Sequence, residues 1–201
     1  MTYVLYGDRG SGAFAVEAAL VQAGADYEFH TISLKTHEQK DAAFLQINPS
    51  GKMPALKLPD GEIVTESLAI LLAIADAHPQ ANLLPPPGER AQAYRWLAFL
   101  ASEVYPMVEI ADYPERFAPQ DADALRARVR ARIHERLEIL ERNIAGAWIL
   151  SSGFSLVDIY AAMFSRWTDG RDAQTPRLHA IAAALGKHAR LGPVMQRHFL
   201  S

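Results

Sequence analysis

A mixed α/β domain followed by an all-helical one is the architecture the sequence predicts, and three observations carry it. Strand-like runs bounded by turn residues occur only in the first third, at Tyr3–Tyr6, Asp26–Ser33, Ala55–Leu58 and Glu62–Val64. Residues 79–88 then hold four of the chain's 12 prolines, which neither helix nor sheet accommodates. Beyond them, apolar residues recur at steps of three and four, the helical period. The fold class is therefore α/β plus all-α, with residues 1–78 as the first domain, 79–88 as a stiff connector and 89–201 as a helical domain.

The first strand, Tyr3-Val4-Leu5-Tyr6, is closed by the turn Gly7-Asp8-Arg9-Gly10-Ser11-Gly12, and a helix follows from Ala13 to Gln22, stopped at Gly24. The next strand, Asp26–Ser33, returns so soon that the two strands pair in parallel through a right-handed crossover. A short helix near Asp41–Gln46 leads to the turn cluster Asn48-Pro49-Ser50-Gly51, and Pro54 opens the third strand. Asp60-Gly61 is a hairpin signal that brings Glu62–Val64 back antiparallel. Ser67 or Thr65 then caps a helix from Leu68 to His78. This βαβ-ββα order is the thioredoxin-like plan, a mixed sheet whose pocket lies at the strand ends near Ser11 and Pro54.

In the helical part, Glu89–Pro114 carries Tyr94, Leu97, Leu100 and Val104 on one face and is interrupted at Pro106. Ala122–Ile144 has the clearest apolar stripe, Leu125, Val129, Ile133, Leu137, Leu140 and Ile144. Its arginines are interleaved with Glu135, Glu138 and Glu141, which marks a solvated, ion-paired face. Ser155 and Asp158 form a capping-box variant ahead of a buried helix, Leu156–Arg166, with Phe154 as the staple. Pro176–Leu185 and Pro193–Phe199 close the bundle.

Composition excludes several kinds of chemistry. A net charge of −3 argues against a nucleic-acid partner, and the absence of cysteine removes disulfides, thiolate nucleophiles and Cys-based zinc sites. No apolar run reaches the roughly eighteen residues of a membrane span, and the N-terminus enters a strand without a leader. A soluble, cytoplasmic protein without membrane or metal is expected.

The stretch Asn48–Leu72 carries the chemistry. An X-Pro bond at a tight strand entry tolerates the cis form, so Met53-Pro54 is expected to be cis, with the Met53 backbone turned outward to pair with another extended chain. A hydroxyl and free N–H groups at the Glu66-Ser67 helix start form a receptor for a carboxylate. Met53, Pro54, Glu66 and Ser67, in this order and spacing, resemble the glutathione-binding half of the glutathione transferase family. The resemblance implies that Met53 pairs with the cysteinyl backbone of glutathione and that Glu66 and Ser67 hold its γ-glutamyl head. It further implies that Lys52 and His37 meet the glycine carboxylate, and that the protein is a homodimer.

Glutathione brings its own thiol, with a pKa of about 8.5 in water, and lowering it by about two units takes roughly 2.7 kcal/mol. A helix terminus supplies about 0.3–1 kcal/mol, rarely about 2, and one hydrogen bond to a charged group about 1.5–3. A donor at the start of the first helix is therefore required. Ser11 and Tyr6 are the candidates, although Ser11 also fits a plain N-cap and Tyr6 a packed aromatic. Tyr105, Met107, Ile110 and Tyr113 are expected to wall a second pocket for an apolar electrophile, in a cleft between domains; core or dimer packing would use the same residues. The function implied is conjugation of the glutathione thiolate to that electrophile. Glutathione-dependent isomerase, peroxidase or dehalogenase chemistry, and a non-catalytic interaction module, are the alternatives.

Overall fold

Tyr3–Gly7 (β1) has alternating burial, with Tyr3, Leu5 and Gly7 inward, as a strand covered more fully on one face requires. In the computed structural model, which describes residues 2–168 and 173–200, β1 pairs in parallel with Tyr27–Thr31 (β2). The crossover is Ala13–Ala23 (α1), ended by Gly24 in the left-handed conformation as expected. Ala55–Lys57 (β3) pairs antiparallel with β1, and Ile63–Thr65 (β4) antiparallel with β3, giving the sheet order β2-β1-β3-β4. The short Ala42–Leu45 (α2) precedes β3, and Ser67–Ala77 (α3) follows β4. Leu5 and Leu56, neighbours in the register, are fully buried, as are Leu20, Ile70, Leu71 and Ile74 on α1 and α3. This is the thioredoxin-like arrangement.

The remaining helices are Arg90–Phe99 (α4), Tyr105–Asp112 (α5), Ala122–Arg142 (α6), Leu156–Trp167 (α7), Pro176–Lys187 (α8) and Gly192–Phe199 (α9). The interruption expected at Pro106 is a π-helical segment, Leu100–Val104, between α4 and α5. A proline lacks the amide that would close the preceding turn, and the widened segment absorbs the fault. The capping box forms as expected. Asp158 accepts from the Ser155 amide at 2.8 Å while the Ser155 hydroxyl accepts from the Val157 amide at 3.2 Å. Ten consecutive residues of α7, Leu156–Ser165, are buried. No helix of the described residues is long and apolar enough to cross a membrane.

The chain divides into two compact units, Met1–Leu84 with Ala184–Ser201, and Pro85–Ala183. The division falls inside the proline-rich stretch, where residues 79–81 and 87–89 each make one 3-10 turn and Leu83 is a core residue. The C-terminal segment corrects the expected helical domain of residues 89–201: α9 packs on α1 of the first unit, to which Phe14 and Phe199 contribute an edge-to-face ring pair at 4.9 Å. Residues 1, 169–172 and 201 of the expected domains lie outside the described residues.

Candidate functional site

The sheet register gathers the site. Tyr6 is opposite Ala55, Ala55 opposite Thr65, and Gly7 opposite Thr31. The residues just beyond these positions therefore emerge at one end of the sheet: the Gly7–Gly12 turn, the Met53-Pro54 pair, Glu66-Ser67, and the loop that carries His37. Parallel pairing of β1 with β2 and antiparallel pairing of β3 with both neighbours are what make four separate loops converge.

The turn before β3 is built around a residue the sequence marked only as a turn former. Asn48 is buried; its amide nitrogen donates to the Lys52 carbonyl at 2.7 Å, and its amide oxygen accepts from the Ser50 amide and hydroxyl at 3.1 and 2.9 Å. Lys40 donates to the Gly51 carbonyl at 3.1 Å. Gly51 has φ +58°, and a Cβ there would meet the Gln39 carbonyl at 2.9 Å, so only glycine fits. This frame presents Met53, half-buried, ahead of a cis bond to buried Pro54.

The α3 start differs from expectation in its cap. Neither Ser67 nor Thr65 is the N-cap; β4 runs to Thr65, and Glu66 itself turns the chain into the helix with φ +66° and ψ +111°. A non-glycine residue in that region costs on the order of 1–3 kcal/mol, and such outliers cluster at ligand clamps. The Glu66 carboxylate is exposed, whereas Ser67 is buried as the first helical residue. Among the described residues the Glu66 side chain makes no capping hydrogen bond to this first turn.

Ser11 is buried and its hydroxyl donates to the Asp8 carbonyl at 2.6 Å while accepting from the amides of Ala13 and Asp8 at 3.2 and 3.3 Å. In this arrangement its proton is committed to the turn. The half-buried Tyr6 ring stands edge-on to His30, 5.4 Å between centroids, and its hydroxyl makes no hydrogen bond among the described residues. Lys52 is exposed. His37 is exposed too, with φ +61°, at the start of the 3-10 turn Glu38–Lys40. The Asp8 carboxylate, which the sequence did not single out, accepts from the Leu34 amide at 2.8 Å and ties the Gly7–Gly12 turn to the loop after β2.

In the helical unit the four expected wall residues have unequal roles. Tyr105 packs its ring against Phe164 and Trp167 of α7, at 5.5 and 5.4 Å, and Tyr113 lies under the Arg116 guanidinium at 4.0 Å. Met107 and Ile110 are half-buried on one side of α5. A cavity of about 120 Å³ opens beside the adjacent side, lined by Val108, Ala111, Asp112, Arg130, His134 and Trp167 among others; none of the expected four lines it.

The sequence profile of the glutathione S-transferase N-terminal domain matches residues 1–76. The uncharacterized GST-like protein YncG of Escherichia coli K12 is 32% identical over 201 residues, covering 96% of this chain and 97% of that protein. The glutathione S-transferase GstA of Escherichia coli O157:H7 is 26% identical, with 92% of each chain covered. Among solved structures, a glutathione transferase homolog from Sulfitobacter with bound glutathione superposes with a TM-score of 0.88 at 28% identity, over 98% of this chain and 99% of that one. A full-length relative above 30% identity, joined to a sheet that assembles Met53-Pro54, Glu66-Ser67 and the α1 turn at one end, places this chain in the glutathione S-transferase family.

Proposed function

We propose that the protein is a glutathione transferase that delivers the thiolate of bound glutathione to an apolar electrophile, working as a homodimer in the cytoplasm. The observation that carries this reading is the register setting Tyr6, Ala55 and Thr65 side by side. It supports a tripeptide whose cysteinyl backbone pairs with Met53, whose γ-glutamyl carboxylate sits on the α3 amides and Ser67, and whose amine faces Glu66. Lys52 and His37 meet the glycine carboxylate. The thiol loses its proton to solvent, and the Tyr6 hydroxyl, without a hydrogen bond among the described residues, donates to the sulfur anion. Ser11 acts by shaping the turn. Sulfur then attacks the electrophilic carbon, and the leaving group departs with its bonding electrons. Met107 and Ile110, flanked by Tyr105 and Tyr113, take the apolar body of the electrophile. The work is done by proximity and charge stabilisation, with no covalent enzyme intermediate.

Retention on immobilised glutathione, followed by turnover of an activated aryl halide, tests the reading. The expected result is retention, turnover, and thiolate absorbance of bound glutathione at neutral pH. Tyr6→Phe is expected to lower kcat about ten- to a hundredfold, the value of one hydrogen bond to a charged group, with Ser11→Ala losing less. Full activity in Tyr6→Phe would reject Tyr6 as the sulfur's donor. Retention without conjugation, but with isomerase or peroxide-reducing turnover, would move the chain to another glutathione-dependent reaction.

A further inference from the structure

The Gly7–Gly12 turn is braced from the far end of the sequence. The Gly10 amide donates to Nδ1 of His198 on α9 at 3.1 Å. Because Nδ1 accepts, the ring proton of the neutral imidazole sits on Nε2, which donates to the Glu17 carboxylate of α1 at 2.6 Å. Glu17 is in turn fixed by Tyr27 at 2.7 Å and Arg197 at 2.6 Å. His198 and Glu17 are both buried, and the ring is packed edge-on against Phe14 and Phe29, 5.5 and 6.1 Å between centroids. Gly10 has φ +74°, and a Cβ there would lie 3.4 Å from the His198 carbonyl, so the turn and α9 are in close approach.

We propose that His198 is a positioning residue for the sulfur-binding turn: by accepting the Gly10 proton at Nδ1 while anchored to Glu17 through Nε2, it fixes the turn that leads into α1. This role rests on the reading above that the glutathione sulfur lies at this turn. The chemistry selects histidine. Apolar side chains could fill the space among Phe14, Phe29 and Phe199, and Glu17 already has Tyr27 and Arg197; only a group that accepts on one side and donates on the other bridges Gly10 to Glu17. A displacement of about 1 Å in a reacting geometry costs up to about a hundredfold in rate.

Two isosteres separate the two ends of the bridge. In His198→Asn the amide oxygen falls where Nδ1 stood, keeping the acceptor for Gly10 and losing the link to Glu17. In His198→Gln the amide nitrogen falls where Nε2 stood, keeping the Glu17 link and losing the acceptor. The measurements are the pKa of the bound glutathione thiol, kcat, KM for glutathione and the melting temperature. The expected result is that His198→Gln raises the bound thiol pKa and lowers kcat about tenfold, with KM unchanged within about twofold, the pattern of lost positioning and not lost binding. His198→Asn is expected to melt lower yet keep the thiol pKa. If both variants lose stability and both keep the wild-type thiol pKa, His198 only packs, and the proposal is overturned; equal kcat losses in both also overturn it. A wild-type protein that leaves the bound thiol at its solution pKa removes the functional reading and this role together. Should either variant fail to fold, the wild type decides: nitrogen-15 spectra are expected to show His198 Nδ1 unprotonated and coupled to the Gly10 amide, and a protonated Nδ1 overturns the bridge.

Discussion

Each unit has at its centre a buried carboxylate that accepts three hydrogen bonds, and the two behave oppositely. Glu17, in the first unit, is pushed up by burial, but the hydrogen bonds from His198, Tyr27 and Arg197 and the Arg197 charge outweigh it and hold its pKa down to about 2. Asp158, in the helical unit, is pushed up by burial to about 6, because its donors, the amides of Ile149 and Ser155 and the Ser155 hydroxyl, are all neutral. Hydrogen-bond number does not decide the outcome; a cationic partner does. The helical unit caps a helix with its carboxylate, while the first unit spends a charge on joining α1, β2 and α9.

The largest effect is expected at Glu17. Glu17→Ala leaves the buried His198 ring and the Tyr27 hydroxyl without their acceptor, while the part-exposed Arg197 guanidinium can turn to solvent, and is predicted to cost about 3 kcal/mol in denaturant unfolding. A cost under about 1 kcal/mol would contradict a charge-centred anchor for α9.

Next comes the pH dependence, where the two carboxylates are predicted to move in opposite directions. Glu17, depressed from 4.5 to about 2, contributes stability that is present above about pH 4.5 and lost as pH falls toward 2. At about 1.4 kcal/mol per unit this amounts to roughly 3 kcal/mol. Asp158, raised from 3.8 to about 6, contributes most below about pH 4 and loses that contribution as pH rises through 6. The stability cost of Glu17→Ala should therefore grow with pH between 2 and 4.5, and that of Asp158→Ala shrink between 4 and 6. Profiles of the same slope would remove the distinction.

Asp158→Ala itself is expected to cost about 2 kcal/mol at neutral pH, from a lost cap and stranded amides. An unchanged unfolding midpoint would count against the capping box. The smallest stability effect is expected at Glu66, an exposed carboxylate held at positive φ. Glu66→Ala should shift stability by less than about 0.5 kcal/mol while raising KM for glutathione, and an unchanged KM would leave the strained conformation without a function.

The same contrast explains what could be read from the sequence. Ser155 and Asp158 are three residues apart, so the capping box was legible as a local pattern, as were the Asp60-Gly61 hairpin and the proline at the entry to β3. Glu17 and His198 are 181 residues apart, and no periodicity announces their meeting. The apolar residues of α9, Val194, Met195 and Phe199, fit any core, which is why α9 was expected in the helical domain and is found on α1. Ser11 looked like a free hydroxyl because its acceptor, the Asp8 carbonyl, is a backbone atom that sequence does not distinguish. Tyr105 looked like a pocket wall because its partners, Phe164 and Trp167, lie two helices further on.

The seat of glutathione at the end of the sheet is tested most directly by calorimetric titration of the tripeptide into the wild type and Ser67→Ala. A tenfold or greater rise in Kd is predicted, about 1.4 kcal/mol or more for a lost hydrogen bond to a carboxylate. Equal affinity in the two proteins would contradict a γ-glutamyl head held at the start of α3.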